Sequence, residues 1–230
     1  MRKVRGHDSL QIYYGRGTQP ERLAAVLRYT PPGARILDLG SGQGAYMEVL
    51  NRQGFLTVGV DINYYPQWDS SRGWFVQASA TSLPFANQEF HTTICFEVLE
   101  HCPDPQTILA EIVRCTSSRL IMTVPNCDLN NALRRYDLAL AHWTDVTHCN
   151  FFKREDIRSL LHECGYRVIE MSDCYRVCPN DYFWDTLRLP KIITKVMKRL
   201  CRRLGLVETY WSSILIVAEV PGAMESGATR

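Results

Sequence analysis

Arg35-Ile-Leu-Asp-Leu-Gly-Ser-Gly-Gln-Gly-Ala-Tyr46, an apolar run that breaks into three alternating glycines, governs the reading of everything around it. The run is short and bounded by Gly and Pro signals, as a buried strand is. Gly40, Gly42 and Gly44 let the chain turn sharply and come close to a ligand, and the helix expected after them presents unpaired N–H groups. Working outward, the same alternation recurs. The spacing predicts helices over 18–33, 45–54, 105–115 and 153–165, and strands over 56–61, 74–78, 90–96, 119–125, 166–173 and 212–220. Thr18 is placed to cap the first helix, and Pro31-Pro32-Gly33 to stop it. Strands that alternate with helices imply a mostly parallel sheet covered on both faces, with ligands at the carboxyl ends of the strands.

The glycine loop calls for an adenosine-containing cofactor. Gly40, Gly42 and Ala45 satisfy G-x-G-x-x-G/A, and Asp61 stands at the ribose-binding distance of that pattern. These features fit nicotinamide dinucleotides and S-adenosylmethionine alike. Asp38 separates the two, because a carboxylate beside the ligand repels a pyrophosphate and suits the ammonium of an amino-acid group.

The chain has 230 residues, 46% hydrophobic and 22% charged, with a formal net charge of +2. That is enough for one domain with a full core, and it carries no global charge signal for nucleic acid. Nine scattered cysteines, an odd number, fit a reducing cytosol in which most thiols pack as small hydrophobes. No apolar run reaches the roughly 20 residues that span a bilayer. Residues 1–32 read as an N-terminal helical segment. Residues 126–150 and 174–211 are connections too long for turns, expected to form the substrate side or a lid.

At this point the sequence resembles the class I S-adenosylmethionine-dependent methyltransferases, over about residues 17–220. The resemblance rests on ILDLGSGQGAY, VGVDIN, ASATSLPF, FEVLEHCPDP, LIMTVPN and LLHECGYRVIE, in that order. It implies a Rossmann-like α/β fold with a seven-stranded, mostly parallel sheet, one antiparallel edge strand and helices on both faces. It also implies cofactor roles for Asp38, Gly40, Ser41, Gly42, Gly44, Asp61, Ile62, Ser79, Ala80, Phe96 and Glu97. Gly40, Gly42 and Gly44 would pass beneath the methionine part, Asp61 would accept from the ribose hydroxyls, and Ile62 would pack on adenine with Ser79 and Ala80 at its edge. Ser79 stands where an Asp often receives the adenine amino group, and His91 replaces an Asp common after Phe90. The expected activity is methyl transfer to a small-molecule or lipid-like acceptor, most plausibly at oxygen. Two alternatives stay open: an NAD(P)-dependent oxidoreductase using the same loop, and a non-catalytic S-adenosylmethionine-binding protein.

Transfer to a hydroxyl needs a base. His148, with Asp145 three residues before it to orient the imidazole, is the candidate pair, and His142 lies nearby. The segment resembles the substrate-side loops of ubiquinone-pathway O-methyltransferases. A second cluster is Glu97, Glu100 and His101, which would share a face if a helical turn began there. Its E-x-x-E-H pattern resembles the divalent-metal ligands of ubiquinone-pathway and small-RNA 3′-end methyltransferases, and the same letters also serve simply to join strand to helix. Finally, residues 188–204 combine an apolar face with seven basic residues and no acid, Arg188 among them. Such a helix suits a solvated edge or peripheral contact with an anionic membrane.

Overall fold

Proline at the first helical position opens α1 (Pro20–Tyr29), where its fixed φ suits a helix and its missing N–H costs nothing. Gln19, not Thr18, is the capping residue; its side chain makes no capping bond, and its N–H donates to the Tyr46 hydroxyl at 2.9 Å. The computed structural model describes residues 17–70, 73–128, 145–178, 184, 185, 187, 189–206 and 210–222. Beyond α1 the order is β1 (Arg35–Leu39), α2 (Ala45–Arg52), β2 (Leu56–Asp61), α3 (Gln67–Ser70), β3 (Trp74–Gln77), β4 (Phe90–Phe96) and a 3-10 turn (Leu99–His101). There follow α4 (Pro105–Cys115), β5 (Thr116–Pro125), α5 (Arg154–Glu163), β6 (Arg167–Val177), α6 (Lys191–Arg203) and β7 (Tyr210–Glu219).

The seven strands form one sheet in the order β3-β2-β1-β4-β5-β7-β6. The first five are mutually parallel, whereas β7 runs antiparallel to both β5 and β6. The reversed strand therefore lies one place inside the edge, and β6 forms the edge itself. The chain builds outward from β1 to β3 and then returns to β4 on β1's other side. This reversal opens a crevice beyond the carboxyl ends of β1 and β4.

Side chains alternate across β1 with the period of two that a strand imposes. Leu37 and Leu39 join a core with Ile108, Leu109 and Ile112 of α4 and with Ile157 and Leu161 of α5. Ile36 joins the opposite core with Ala25 and Val26 of α1 and Leu50 of α2. Asp38 shares the strand phase of Ile36, so the carboxylate emerges under the helices α1 and α2. All nine cysteines are free thiols. Among the described residues, no helix is long and apolar enough to cross a membrane.

Candidate active site

The chain leaves β1 into a loop tied to the neighbouring strand: Gly40 N–H and Ser41 N–H both donate to the Val60 carbonyl, at 2.8 and 3.0 Å. Gly40 has φ +76° and lies so close to Val98 that a Cβ there would overlap its Cγ2. Gly42 also has a left-handed backbone, at φ +52°, yet a Cβ there would meet nothing within 4 Å. The backbone at Gly42 is thus exposed to open space, as a ligand cradle must be. Its N–H donates to Asp61 Oδ2 at 3.0 Å, and Asn63 N–H donates to Oδ1 at 2.9 Å. A carboxylate has about four lone-pair sites, so Asp61 can fix the loop and still accept from a ribose diol.

Ile62, beside Asp61, is two-thirds exposed. The turn that carries Ser79 and Ala80 is drawn alongside it: Ala78 N–H donates to the Asp61 carbonyl at 3.0 Å, and Gln77 Nε2 to the Ile62 carbonyl at 3.0 Å. Ser79 Oγ lies 2.8 Å from Thr81 Oγ1. The structure therefore brings the sequence-derived adenosine residues onto one edge. Trp68 reinforces this region from α3, donating from its indole N–H to the Gly42 carbonyl at 2.8 Å and stacking on Phe75 with ring centroids 4.8 Å apart. Nothing in the local sequence pattern signalled that role.

Asp38 is 3% exposed, and its Oδ2 has no hydrogen-bond partner among the described residues. Burial first, and the charge of Asp61 second, push its carboxyl up to about 7. An ammonium group brought to the cradle would supply the missing donor and charge. The open cradle, the orphaned carboxylate and Asp61 together fit S-adenosylmethionine.

At the end of β4 the backbone turns left-handed at Glu97, φ +56°, while its N–H donates to the Thr123 carbonyl at 3.0 Å. Such a conformation in a non-glycine residue costs free energy and is concentrated at functional sites. Its side chain forms an ion pair with Arg22 of α1, both groups being largely buried. Phe96 lies under the same guanidinium, 5.3 Å from ring centroid to Cζ, and 4.8 Å from the Tyr46 ring. Arg22 was missed by the sequence reading. Its signal was its phase: Arg22, Ala25 and Val26 are the buried residues of α1, with the i, i+3, i+4 spacing of a core face.

Because Glu97 leaves the helical region of backbone space, the turn begins only at Leu99. The common helical face expected of Glu97, Glu100 and His101 does not form. Glu97 points to Arg22, and the donor atoms of Glu100, His101 and His148 instead lie within 4.8 Å of one another. Cys149 and Asn150 N–H groups donate to the Glu100 carbonyl at 2.8 and 3.1 Å, which fastens the later segment to the turn. The rings of His101 and His148 meet edge to face at 4.6 Å. Asp145 Oδ2 lies 3.8 Å from His148 Nε2, near enough to attract an imidazolium without a hydrogen bond. His142 lies outside the described residues, as do 129–144 of the first long connection.

The hydrogen bonds fix the tautomer of His101. Its Nδ1 faces the Thr147 carbonyl at 3.3 Å and the Thr147 hydroxyl at 3.0 Å, and a carbonyl can only accept. Nδ1 therefore carries the proton and Nε2 keeps its lone pair. The Thr147 hydroxyl in turn donates to Asp145 Oδ1 at 2.6 Å. Burial, followed by the nearby His148, holds His101 below its ordinary value, so its ring is neutral at pH 7. Burial works against ionisation of Asp145, yet the Thr147 hydroxyl and amide outweigh it and hold the carboxyl below the usual range. Glu100 is 1% exposed, its Oε2 has no hydrogen-bond partner among the described residues, and burial, then Glu97, push it well above the usual carboxylate range.

Seven strands in this order, with a glycine cradle after β1 and an acidic residue closing β2, define the class I methyltransferase architecture. The methyltransferase domain family matches residues 14–171, well over half of the chain, and the chain belongs to that family. It is 35% identical over 96 residues to an uncharacterized methyltransferase of Mycobacterium sp. (strain JLS), covering 40% of this chain and 38% of that protein. The chain thus spans less than two-fifths of that relative. It is 26% identical over 180 residues to the O-methyltransferase rstn1 of Aspergillus nomiae, covering 72% of this chain and 77% of the relative. The Burkholderia thailandensis 1,6-didemethyltoxoflavin-N1-methyltransferase, solved with 1,6-didemethyltoxoflavin and S-adenosylhomocysteine, shares the fold at a TM-score of 0.63. That likeness comes with 15% identity and covers 94% of this chain and 83% of that one.

Proposed function

We propose that this chain transfers a methyl group from S-adenosylmethionine to a hydroxyl of a small or lipid-like acceptor. The observation that carries the reading is the contact of Val98 with Gly40. It supports the reading by bringing the turn that carries His101, packed edge to face on His148, against the loop proposed to cradle the cofactor, so that imidazoles would stand near a sulfonium methyl. The O-methyltransferase relative supports oxygen as the acceptor atom. The match is to methyltransferases, which counts against the oxidoreductase alternative.

The chemistry asked of the protein is modest. The S–CH3 bond breaks as the C–O bond forms, and its electron pair stays on sulfur. The acceptor's proton passes to the His148 imidazole, whose Nε2 lies 3.8 Å from Asp145 Oδ2. Most of the rate would come from alignment in a pocket poor in water, with the base contributing about 10²–10⁴-fold. We assign residues 126–150 to the acceptor side, a reading supported by the Cys149 and Asn150 N–H groups that fasten its described end to the Glu100 carbonyl. Nine free cysteines suit a reducing compartment.

One observation favours a second reading of the same cluster. Glu100, His101 and His148 form a mixed carboxylate and imidazole donor set, His101 Nε2 keeps its lone pair by tautomer, and Glu100 Oε2 is buried with no partner among the described residues. These residues fit a divalent cation, with Thr147 and Asp145 orienting His101 from behind. When bound, such an ion would supply Lewis-acid activation of the acceptor oxygen.

Radiolabelled methyl transfer from S-adenosylmethionine to a panel of phenols, catechols and amines tests the proposal. Label should appear on oxygen, and His148→Ala should lower kcat about 100-fold while leaving S-adenosylhomocysteine affinity unchanged. If the ion reading holds, chelation and Glu100→Gln will each abolish turnover, and added Mg2+ or Mn2+ will restore only the chelated enzyme. Label found on amines alone, or full turnover in His148→Ala, contradicts the reading.

A further inference from the structure

The strongest feature that methyl transfer leaves unused is α6. Amphipathic helices of a globular protein turn their apolar side inward, and this one does not. Of its residues only Thr194 is buried. Ile192 is 79% exposed, Val196 57%, Leu200 45% and Ile193 46%, and Leu204 just beyond is 61% exposed. At 100° per residue these five fall on one arc about 120° wide. Lys191, Lys195 and Arg199 fall on the adjoining arc and are exposed as well, while the exposed Arg203 stands at the near edge of the apolar arc itself. The edge turned to the protein is a narrow one, formed by Thr194 with the half-buried Met197, Lys198 and Cys201, and Lys198 forms an ion pair with Asp185 at 2.8 Å. Arg188 lies outside the described residues.

A helix that holds on by one edge, with an apolar arc and a cationic arc both facing outward and no acid in its sequence, matches the water–lipid interface. There the apolar arc enters the acyl boundary and the basic residues meet anionic headgroups. Topology gives the contact a direction. The chain leaves β6 at Val177 and re-enters β7 at Tyr210, which pairs with it. Ser213 of β7 pairs with Pro125 at the carboxyl end of β5. The connection that carries α6 therefore springs from the same edge of the sheet as the cofactor cradle. We infer that α6 docks this protein on an anionic membrane surface, with the carboxyl edge of the sheet, and hence the site, turned toward the lipid.

Docking is independent of which atom is methylated, and it can be read without turnover. The full chain is floated with vesicles of phosphatidylcholine alone, or with about a third phosphatidylglycerol. The anionic vesicles should retain it at least tenfold better, and high salt should release it. Replacing Lys191, Lys195 and Arg199 by Gln together should weaken retention about 100-fold, at roughly fivefold per cation. Val196→Asp with Leu200→Asp should lose at least tenfold by removing the buried apolar arc. All five positions are exposed, and unchanged S-adenosylhomocysteine binding serves as the folding control. Equal retention on both vesicle types, or retention untouched by the apolar variant, overturns the inference. So does a solution dimer that Val196→Asp with Leu200→Asp disperses while the wild type ignores vesicles, since a second copy would then cover the face.

Discussion

Asp38 is a carboxyl whose ionisation its surroundings oppose until a cation arrives. With its carboxyl at about 7, well above the unfolded value of 3.8, the native state holds a proton that the unfolded chain releases. Its stabilising contribution is therefore full below about pH 4 and is lost progressively as pH rises through 7, on the order of 4 kcal/mol across that window. Cofactor affinity runs the other way, because an ammonium ligand needs the ionised form. Titration calorimetry with S-adenosylmethionine should show affinity falling up to tenfold per pH unit below about 7 and levelling above it. Asp38→Asn should bind at least tenfold more weakly and flatten the profile. A wild-type affinity constant between about pH 5.5 and 8 would remove Asp38 from the ligand's ammonium. This residue was legible in sequence because a strand end followed by a glycine loop leaves a side chain few places to go. Arg22 was not, since its partner Glu97 is 75 residues away and no local pattern encodes that meeting. His148 was found as a base candidate, but its companions His101 and Glu100 came together only through the fold.

Among the elements, α4 holds the loop after β3, where the resemblance puts the adenine edge, by a device that sequence did not show. Arg114 donates to the Phe85 carbonyl at 2.6 Å and to the Leu83 carbonyl at 2.8 Å, while Glu111 accepts from Leu83 N–H at 2.8 Å and pairs with Arg114. One helix face thus satisfies the backbone of the loop that begins with Ser79 and Ala80. Arg114→Ala should cost about 1–3 kcal/mol, lowering the melting temperature by about 3–10 °C. S-adenosylhomocysteine should bind several-fold more weakly, and Arg114→Lys should recover only part of both losses. A melting temperature equal to wild type would show that the loop holds itself. The elements themselves were largely readable, because each buried strand is a compact apolar run and each helix has its period and a glycine or proline stop. Two details were not. The reversed strand sits inside the edge, a matter of pairing between β5 and β6 that no single strand records. The 3-10 turn starts late because Glu97 turns left-handed to meet Arg22 and Thr123.

At the scale of the whole molecule, the reversal of strand order between β1 and β4 gathers the glycine loop, the imidazole cluster and the strand ends from which the long connections spring on one edge. The apolar periodicity made the fold class readable, and the glycine loop made the cofactor class readable. Acceptor recognition, proposed to lie in the long connections, was not readable, since the sequence there follows no period. The central claim is that this edge receives S-adenosylmethionine and not a dinucleotide. Calorimetric titration of the purified chain with S-adenosylhomocysteine and, separately, with NAD(H) and NADP(H) tests it most directly. Saturable one-to-one binding of S-adenosylhomocysteine, lost in Asp61→Ala, with no heat from either dinucleotide, is the predicted result. Binding of a dinucleotide with none of S-adenosylhomocysteine would contradict it.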